Sequence, residues 1–371
     1  MKRPIYLDYQ ATTPLAPEAR AAMLPLMDEA FGNPHSPHRM GREAKAAVEV
    51  ARDTIAAPFG PGGRLLFTSG ATEALNWAIK GIAETSDRKR IVVTAIEHAA
   101  VLDSVAWLAG RGHDVILLPV THDGIVDLDA AHAAIDGETA LVAAMLVNNE
   151  IGTIQPVAEL GAMARDVGAV MLCDAVQGYG RVPLPIDACD LVAISAHKIH
   201  GPKGVGALWL RDGVVPAPLL HGGGQEGGLR SGTLAPALCT GFGAAADLAF
   251  AADDAAHVEV LWNRARAMFG AEWTLNGAEM PRWHGNLNIR REGLDVARLM
   301  ADLRDIAFSA GSACASGSGR TSHVLKAIGL SEAEARSSIR LGFGRYTTED
   351  EIETAVTAIR EAADRQKAWA A

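Results

Sequence analysis

Short, almost uninterrupted apolar runs recur through the middle of this chain, and they limit the folds open to it. They lie at 65–68, 91–95, 115–119, 141–147, 170–173, 191–194 and 205–210. Strands with one wet face alternate apolar and polar residues, and these runs do not, so each is expected to be buried on both faces. Helical patterns at 72–82, 99–109 and 158–167 separate several of them. Strand and helix in alternation predict a mainly parallel sheet covered by helices on both sides. The pair at 191–194 and 205–210 is joined by a Gly/Pro/Lys-rich loop, which predicts some antiparallel pairing.

Past residue 256 the texture changes. A helical stretch runs to Phe269, strands are expected at 286–290, 306–309 and 337–342, and a helix at 294–303. Thr348 with Glu351 fits a capping box opening a last helix with Ile352, Val356 and Ile359 on one stripe. With 371 residues, roughly two domains are expected. The predicted organisation is an α/β architecture: a large domain over 31–255 and a smaller α+β domain over 256–371. Residues 1–30, turn-rich through Pro14, Pro17 and Pro25, are expected to pack with the small domain or the cleft.

Charge narrows the function. Lys and Arg number 34 against 44 Asp and Glu, a net charge of −10, which argues against nucleic-acid binding. The stretch 231–246 is too short and too rich in small residues to span a membrane, and a buried helix is expected there. Cys173, Cys189, Cys239 and Cys314 are widely spaced with no CxxC pair, as in a reducing compartment. No secretory leader is evident at the start, so a cytoplasmic location is expected.

Ligands of open α/β sheets sit beyond the carboxyl ends of the strands. Here those ends carry Ser69-Gly-Ala-Thr-Glu73, Glu97-His98, Asn148-Asn-Glu150, Asp174 followed by Gln177, and Ser195-Ala-His-Lys198. A single polar residue at a strand end is ordinarily a turn residue, and Thr72 alone reads as an ordinary helix N-cap. Five such ends together describe a site. A phosphate seat at a helix N-terminus, a lysine and an aspartate suit pyridoxal phosphate. The lysine would form the Schiff base, the aspartate would hold the ring nitrogen protonated, and a flat imidazole could cover the ring. Cys314 lies in Ser309-Ala-Gly-Ser-Ala-Cys-Ala-Ser-Gly-Ser-Gly-Arg320, a setting of small residues unlike that of a core thiol. The other three cysteines lie in or beside apolar runs and read as inert. The HxxH pairs 35–38 and 197–200 lack clustered ligands, so no intrinsic metal site is expected.

Beyond the strand ends, Tyr6-Leu-Asp-Tyr-Gln-Ala-Thr-Thr-Pro14, Phe31-Gly-Asn-Pro34, Ser195-Ala-His-Lys-Ile-His-Gly-Pro-Lys-Gly204, Arg230-Ser-Gly-Thr233, Gly311-Ser-Ala-Cys314 and Ser338-Ile-Arg340 complete a pattern over nearly the whole chain. It resembles the NifS/IscS-like cysteine desulfurases of the class V aminotransferase family, which are fold-type I pyridoxal-phosphate enzymes. The resemblance implies that Lys198 carries the cofactor, His98 stacks on its ring and acts as acid/base, Asp174 holds the pyridine nitrogen, and Gln177 lies near the ring hydroxyl. It gives Ala71, Thr72, Ser195 and His197 the phosphate, Asn149 and Arg340 the substrate carboxylate, and Thr233 the phosphate of a neighbouring subunit in a homodimer. It gives Cys314 the sulfur of L-cysteine as a persulfide, leaving L-alanine. The sulfur would pass to an acceptor such as an iron–sulfur scaffold protein, with Cys314 a transient cluster ligand. Gln10 and Gly227 depart from the usual pattern, which more often has a smaller residue and an arginine there. A selenocysteine lyase, an aminotransferase and a weakly catalytic sulfur-transfer platform are the alternatives; an aminotransferase has no need of Cys314.

Overall fold

The computed structural model describes residues 3–252, 254–310 and 321–370; Cys314 lies outside them. The chain begins with β1 (Ile5–Tyr6), α1 (Pro17–Asp28) and α2 (Arg39–Ala56). It then alternates β2 (Gly63–Thr68), α3 (Ala71–Thr85), β3 (Arg90–Thr94), α4 (Ala99–Ala109), β4 (Asp114–Leu118), α5 (Leu128–Ala134), β5 (Thr139–Met145), α6 (Val157–Asp166) and β6 (Val170–Asp174). β7 (Leu191–Ser195) and β8 (Gly206–Arg211) complete a seven-stranded sheet in the order β2-β8-β7-β6-β5-β3-β4. β8 runs antiparallel to both of its neighbours, and the other pairs are parallel. The carboxyl ends of β2, β3, β4, β5, β6 and β7 therefore share one edge. The anticipated antiparallel pair is β7 with β8; that β8 also separates β2 from the rest was not visible in runs of equal apolarity.

Both faces of the sheet are dry along its central strands, which accounts for their unbroken apolar runs; the edge strand β4 departs from the expectation, with Leu117 exposed. Alternate residues of each strand enter opposite cores: Val142 and Ala144 face one, Leu141 and Ala143 the other. Each fully buried Val or Leu contributes about 1.5–3 kcal/mol relative to exposure, so the many such positions fix strand register. Trp209 on β8 stacks on Phe59, ring centroids 5.5 Å apart.

The remaining elements are α7 (Pro236–Ala251), α8 (Asp254–Phe269), β9 (Thr274–Leu275), β10 (Asn286–Arg290), α9 (Val296–Asp302), β11 (Ile306–Ala307), α10 (His323–Ala327), α11 (Glu332–Arg336), β12 (Ser338–Gly342) and α12 (Glu349–Ala370). β12-β10-β9 form a three-stranded antiparallel sheet with its own core, including Leu287, Ile339, Val356 and Ile359. α12 opens with the expected capping box, Thr348 and Glu351 exchanging side-chain bonds to each other's backbone N–H. α7 is the expected buried helix, although it starts at Pro236 rather than near Ser231.

The opening residues divide between two neighbourhoods. β1 pairs in parallel with β11, whereas α1 packs on α7. Two local expectations need correction. The strand expected at 306–309 stops at Ala307, because Ser309 turns to bridge Arg340. Thr72 is not an N-cap: Gly70 is, so Thr72 lies inside the first turn of α3.

Candidate active site

A cavity of about 950 Å³ lies at that shared edge. The strand-end residues Ala71, Thr72, His98, Asn149, Asp174, Gln177, Ser195, His197 and Lys198 line it, and Arg340 of β12 closes the far side with Gln10–Thr12 and Thr321–His323. Ten of the twelve residues singled out from sequence thus meet in one place. Thr233 does not: it is exposed and lines no part of the cavity.

Lys198 follows β7 in a short 3-10 turn, with its Nζ donating to the carbonyls of Gln10 (2.6 Å) and Ala11 (2.8 Å). Burial, then the guanidinium charges of Arg181 and Arg340, pull its ammonium down to about 8 from an ordinary 10.5. Arg181 also bonds the Lys198 carbonyl and the Gln177 Oε1. Asp174 ends β6; its Oδ1 accepts the Val176 N–H at 3.0 Å, and burial raises its pKa. It has a place for a cationic partner and none of the described side chains bonds it.

His98 caps α4, its Nδ1 accepting the Ala100 N–H at 3.1 Å. The ordinary capping role and the cavity position therefore coexist. With Nδ1 acting as acceptor, the neutral ring carries its proton on Nε2. Burial, then the charges of Lys198, Lys203 and Arg181, push His197 down to about 4, so it is neutral near pH 7. Its Nδ1 meets Thr12 Oγ1 at 3.1 Å.

At α3, Gly70 supplies no side-chain cap, leaving the first N–H groups of a 15-residue helix free at the cavity edge. Gly206 permits this approach: a Cβ there would lie 2.7 Å from the Gly70 Cα. The first-turn Glu73, which would repel an anion, is held by Arg230 at 2.8 Å.

Arg340 is almost completely buried. It pairs with Asp8 at 2.7 Å and donates to the Asn149 carbonyl at 3.1 Å, while its Nε has no partner. A guanidinium desolvated this far suits a carboxylate, but Asp8 already holds part of its fork. That constraint, the Gln10 and Ala11 carbonyls and Arg181 were missed from sequence, since each acts across a long separation or through backbone. Gln10 is itself buried, its Nε2 donating to the Gly285 carbonyl at 2.7 Å. Gly227 has a φ of 67°, a conformation in which an arginine would be strained.

Residues 5–354 match the aminotransferase class-V family. The chain belongs to that family. A protein named cysteine desulfurase IscS from Rickettsia rickettsii (strain Iowa) is 44% identical over 378 aligned positions, covering 98% of this chain and 92% of its own. Its namesake in Rickettsia bellii (strain OSU 85-389) is 45% identical over 369, covering 96% and 90%. Among solved structures, a NifS-like protein superposes with a TM-score of 0.89 at 34% identity, covering 96% of this chain and 98% of the other. A structure described as SspA in complex with cysteine gives 0.82 at 32% identity, covering 92% and 99%.

Pyridoxal phosphate is the cofactor of these class-V relatives. The cavity fits it on three independent counts: an amine near neutrality, a buried carboxyl without a cation, and an uncapped helix N-terminus.

Proposed function

We propose that this protein is a pyridoxal-phosphate-dependent cysteine desulfurase. L-Cysteine and the Cys314 thiol give L-alanine and a Cys314 persulfide; the C–S bond breaks, an S–S bond forms, and a proton returns to carbon. The observation that carries the reading is the convergence of Lys198, Asp174 and the α3 N-terminus on a cavity whose rim also includes Thr321 and Ser322, just past the Cys314 segment. Cys314 itself lies outside the described residues.

Lys198 would bind the cofactor aldehyde, Asp174 its ring nitrogen, Gln177 the region of its hydroxyl, and Ala71, Thr72, Ser195 and His197 its phosphate. Bound there, the cofactor supplies an electron sink for negative charge at the substrate Cα. Lys198, with a pKa near 8, is suited to removing and returning the proton at that carbon. His98 covers the ring and offers its Nε2–H. Arg340 and Asn149 hold the substrate carboxylate. Thr233, exposed in this chain, reaches the phosphate of a neighbouring copy, so the working form is a homodimer. The acceptor is a scaffold protein of iron–sulfur cluster assembly, with Cys314 a transient cluster ligand. Cytoplasmic residence agrees with three buried cysteines that remain free thiols. Among the described residues no helix is long and apolar enough to cross a membrane.

The test is purified holoprotein with L-cysteine and a dithiol reductant, assayed for sulfide and alanine. Equal release of both is expected, with Cys314→Ala retaining the cysteine-induced spectral change yet releasing no sulfide. Sustained sulfide release by Cys314→Ala refutes the role of that thiol. Turnover of selenocysteine alone points to the lyase.

A further inference from the structure

Behind Met145 of the cavity wall, one residue before His98, sits a carboxyl group that the reaction does not use. Glu97 is completely buried. Its Oε1 accepts from Thr94 Oγ1 at 2.6 Å and from the Met145 N–H at 2.8 Å, while its Oε2 has no partner. Met145 is the register partner of Asp174 across β5 and β6, so this contact reaches the strand end that carries Asp174. The Glu97 backbone carbonyl accepts from His323 Nε2 at 2.9 Å, and the next residue is His98. One residue therefore ties together β3, β5 and α10 at the points where they meet the cavity.

No cation bonds this carboxyl, and its acidic neighbour is Asp174. A buried carboxylate without a counter-ion, next to a second carboxylate, is strongly disfavoured; one of the two keeps its proton. Asp174 opens to the cavity and feels the charge of Lys198, whereas Glu97 has neither advantage. Burial first, and then Asp174, raises Glu97 to about 8. A proton on Oε1 also has an acceptor at hand, since Thr94 Oγ1 can exchange donor and acceptor roles across that short contact.

We propose that Glu97 is a positioning residue that works as an undissociated acid, clamping the ends of β3 and β5 so that Asp174 is the single negative charge facing the cofactor ring. The proposal rests on pyridoxal phosphate occupying this cavity and deepens that reading. A charged Glu97 would share the attraction for a protonated ring nitrogen; a neutral one leaves it to Asp174.

The experiment uses holoprotein near neutral pH. The infrared difference between wild type and Glu97→Gln is expected to show the C=O band of a protonated carboxyl, and Thr94→Val is expected to shift it. Cofactor affinity in Glu97→Gln is expected within about twofold of wild type, because a neutral isostere keeps the Met145 bond. In Glu97→Ala that N–H is orphaned, and affinity should fall about tenfold or more. The proposal is overturned if no protonated-carboxyl band appears, or if Glu97→Gln weakens binding as much as Glu97→Ala. It is also overturned if Glu97→Ala binds as wild type does. Should Glu97→Ala fail to fold, the band and its shift in Thr94→Val decide. None of these readouts requires cysteine turnover, so their failure is distinguishable from failure of the desulfurase assignment.

Discussion

The acidity of Lys198 can be tested without any turnover. A free lysine near 10.5 is only about 0.03% neutral at pH 7, whereas one near 8 is about 10% neutral, a gain of about 300-fold in nucleophilic amine. The perturbation is pH, applied to apoprotein treated with pyridoxal, which lacks the phosphate and so does not exploit the α3 seat. Reduction traps the adduct, and peptide mass spectrometry follows each lysine separately. Lys198 is protonated below about 8 and neutral above it, so its labelling should rise with a midpoint near 8. Restricted access lowers the amplitude of such a curve but leaves its midpoint in place. Removing the Arg181 charge, the larger of the two guanidinium contributions, should move the midpoint upward. A midpoint for Lys198 of about 10 or higher would refute the argument that burial and nearby guanidinium groups prepare this amine.

Three other outcomes follow from the geometry. Gly206→Ala places a Cβ 2.7 Å from both the Gly70 Cα and the Ile194 carbonyl oxygen, so it should displace the α3 N-terminus and weaken pyridoxal-phosphate affinity by about tenfold or more, with some loss of stability as well; equilibrium binding with unchanged affinity would count against that seat. Arg340→Lys cannot keep the contacts with Asp8, Ser309 and Asn149 together, so KM for L-cysteine should rise about 10- to 100-fold with a smaller change in kcat. An unaltered KM would remove Arg340 from substrate binding. Glu226→Gln disrupts a nearly buried carboxylate that takes both Arg52 N–H groups at 2.8 Å and the Phe67 N–H at 2.7 Å. Arg52 keeps Glu49 as a partner, so the loss of stability should be about 2–4 kcal/mol, below that of a fully orphaned ion, as read from denaturant midpoints.

Local pattern carried much of the structure. The sheet strands were legible because each is short, apolar throughout and bounded by polar turns; β10 fell on its expected residues. The site was legible because strand ends converge on one edge whatever the strand order. The order itself was not, since β2 and β3 are equally apolar and only packing separates them with β8, β7, β6 and β5. The ordinary-cap alternative for Thr72 falls, since Gly70 rather than Thr72 is the N-cap and leaves the first N–H groups free for a ligand. The Asp8–Arg340 pair joins residues 332 positions apart, and the Lys198 contacts use backbone carbonyls, which no side-chain pattern encodes. Glu97 stood in plain view beside His98, yet the burial that raises its pKa, and after it the nearby Asp174, come from chain brought in by the fold.

The posts beside the Cys314 segment have a consequence for delivery. Ser309 is tied to Asp8 at 2.9 Å and Ser322 to Glu150, so the chain leaves and returns at fixed points. Cys314 follows Ser309 by five residues (314 − 309). At no more than about 3.5 Å per residue, chain length alone holds the Cα of Cys314 within about 18 Å of the first post. On the proposed function, an acceptor of sulfur from Cys314 has to bring its own thiol or nascent cluster close to that radius, so the surfaces there, rather than the whole molecule, decide which acceptors are served.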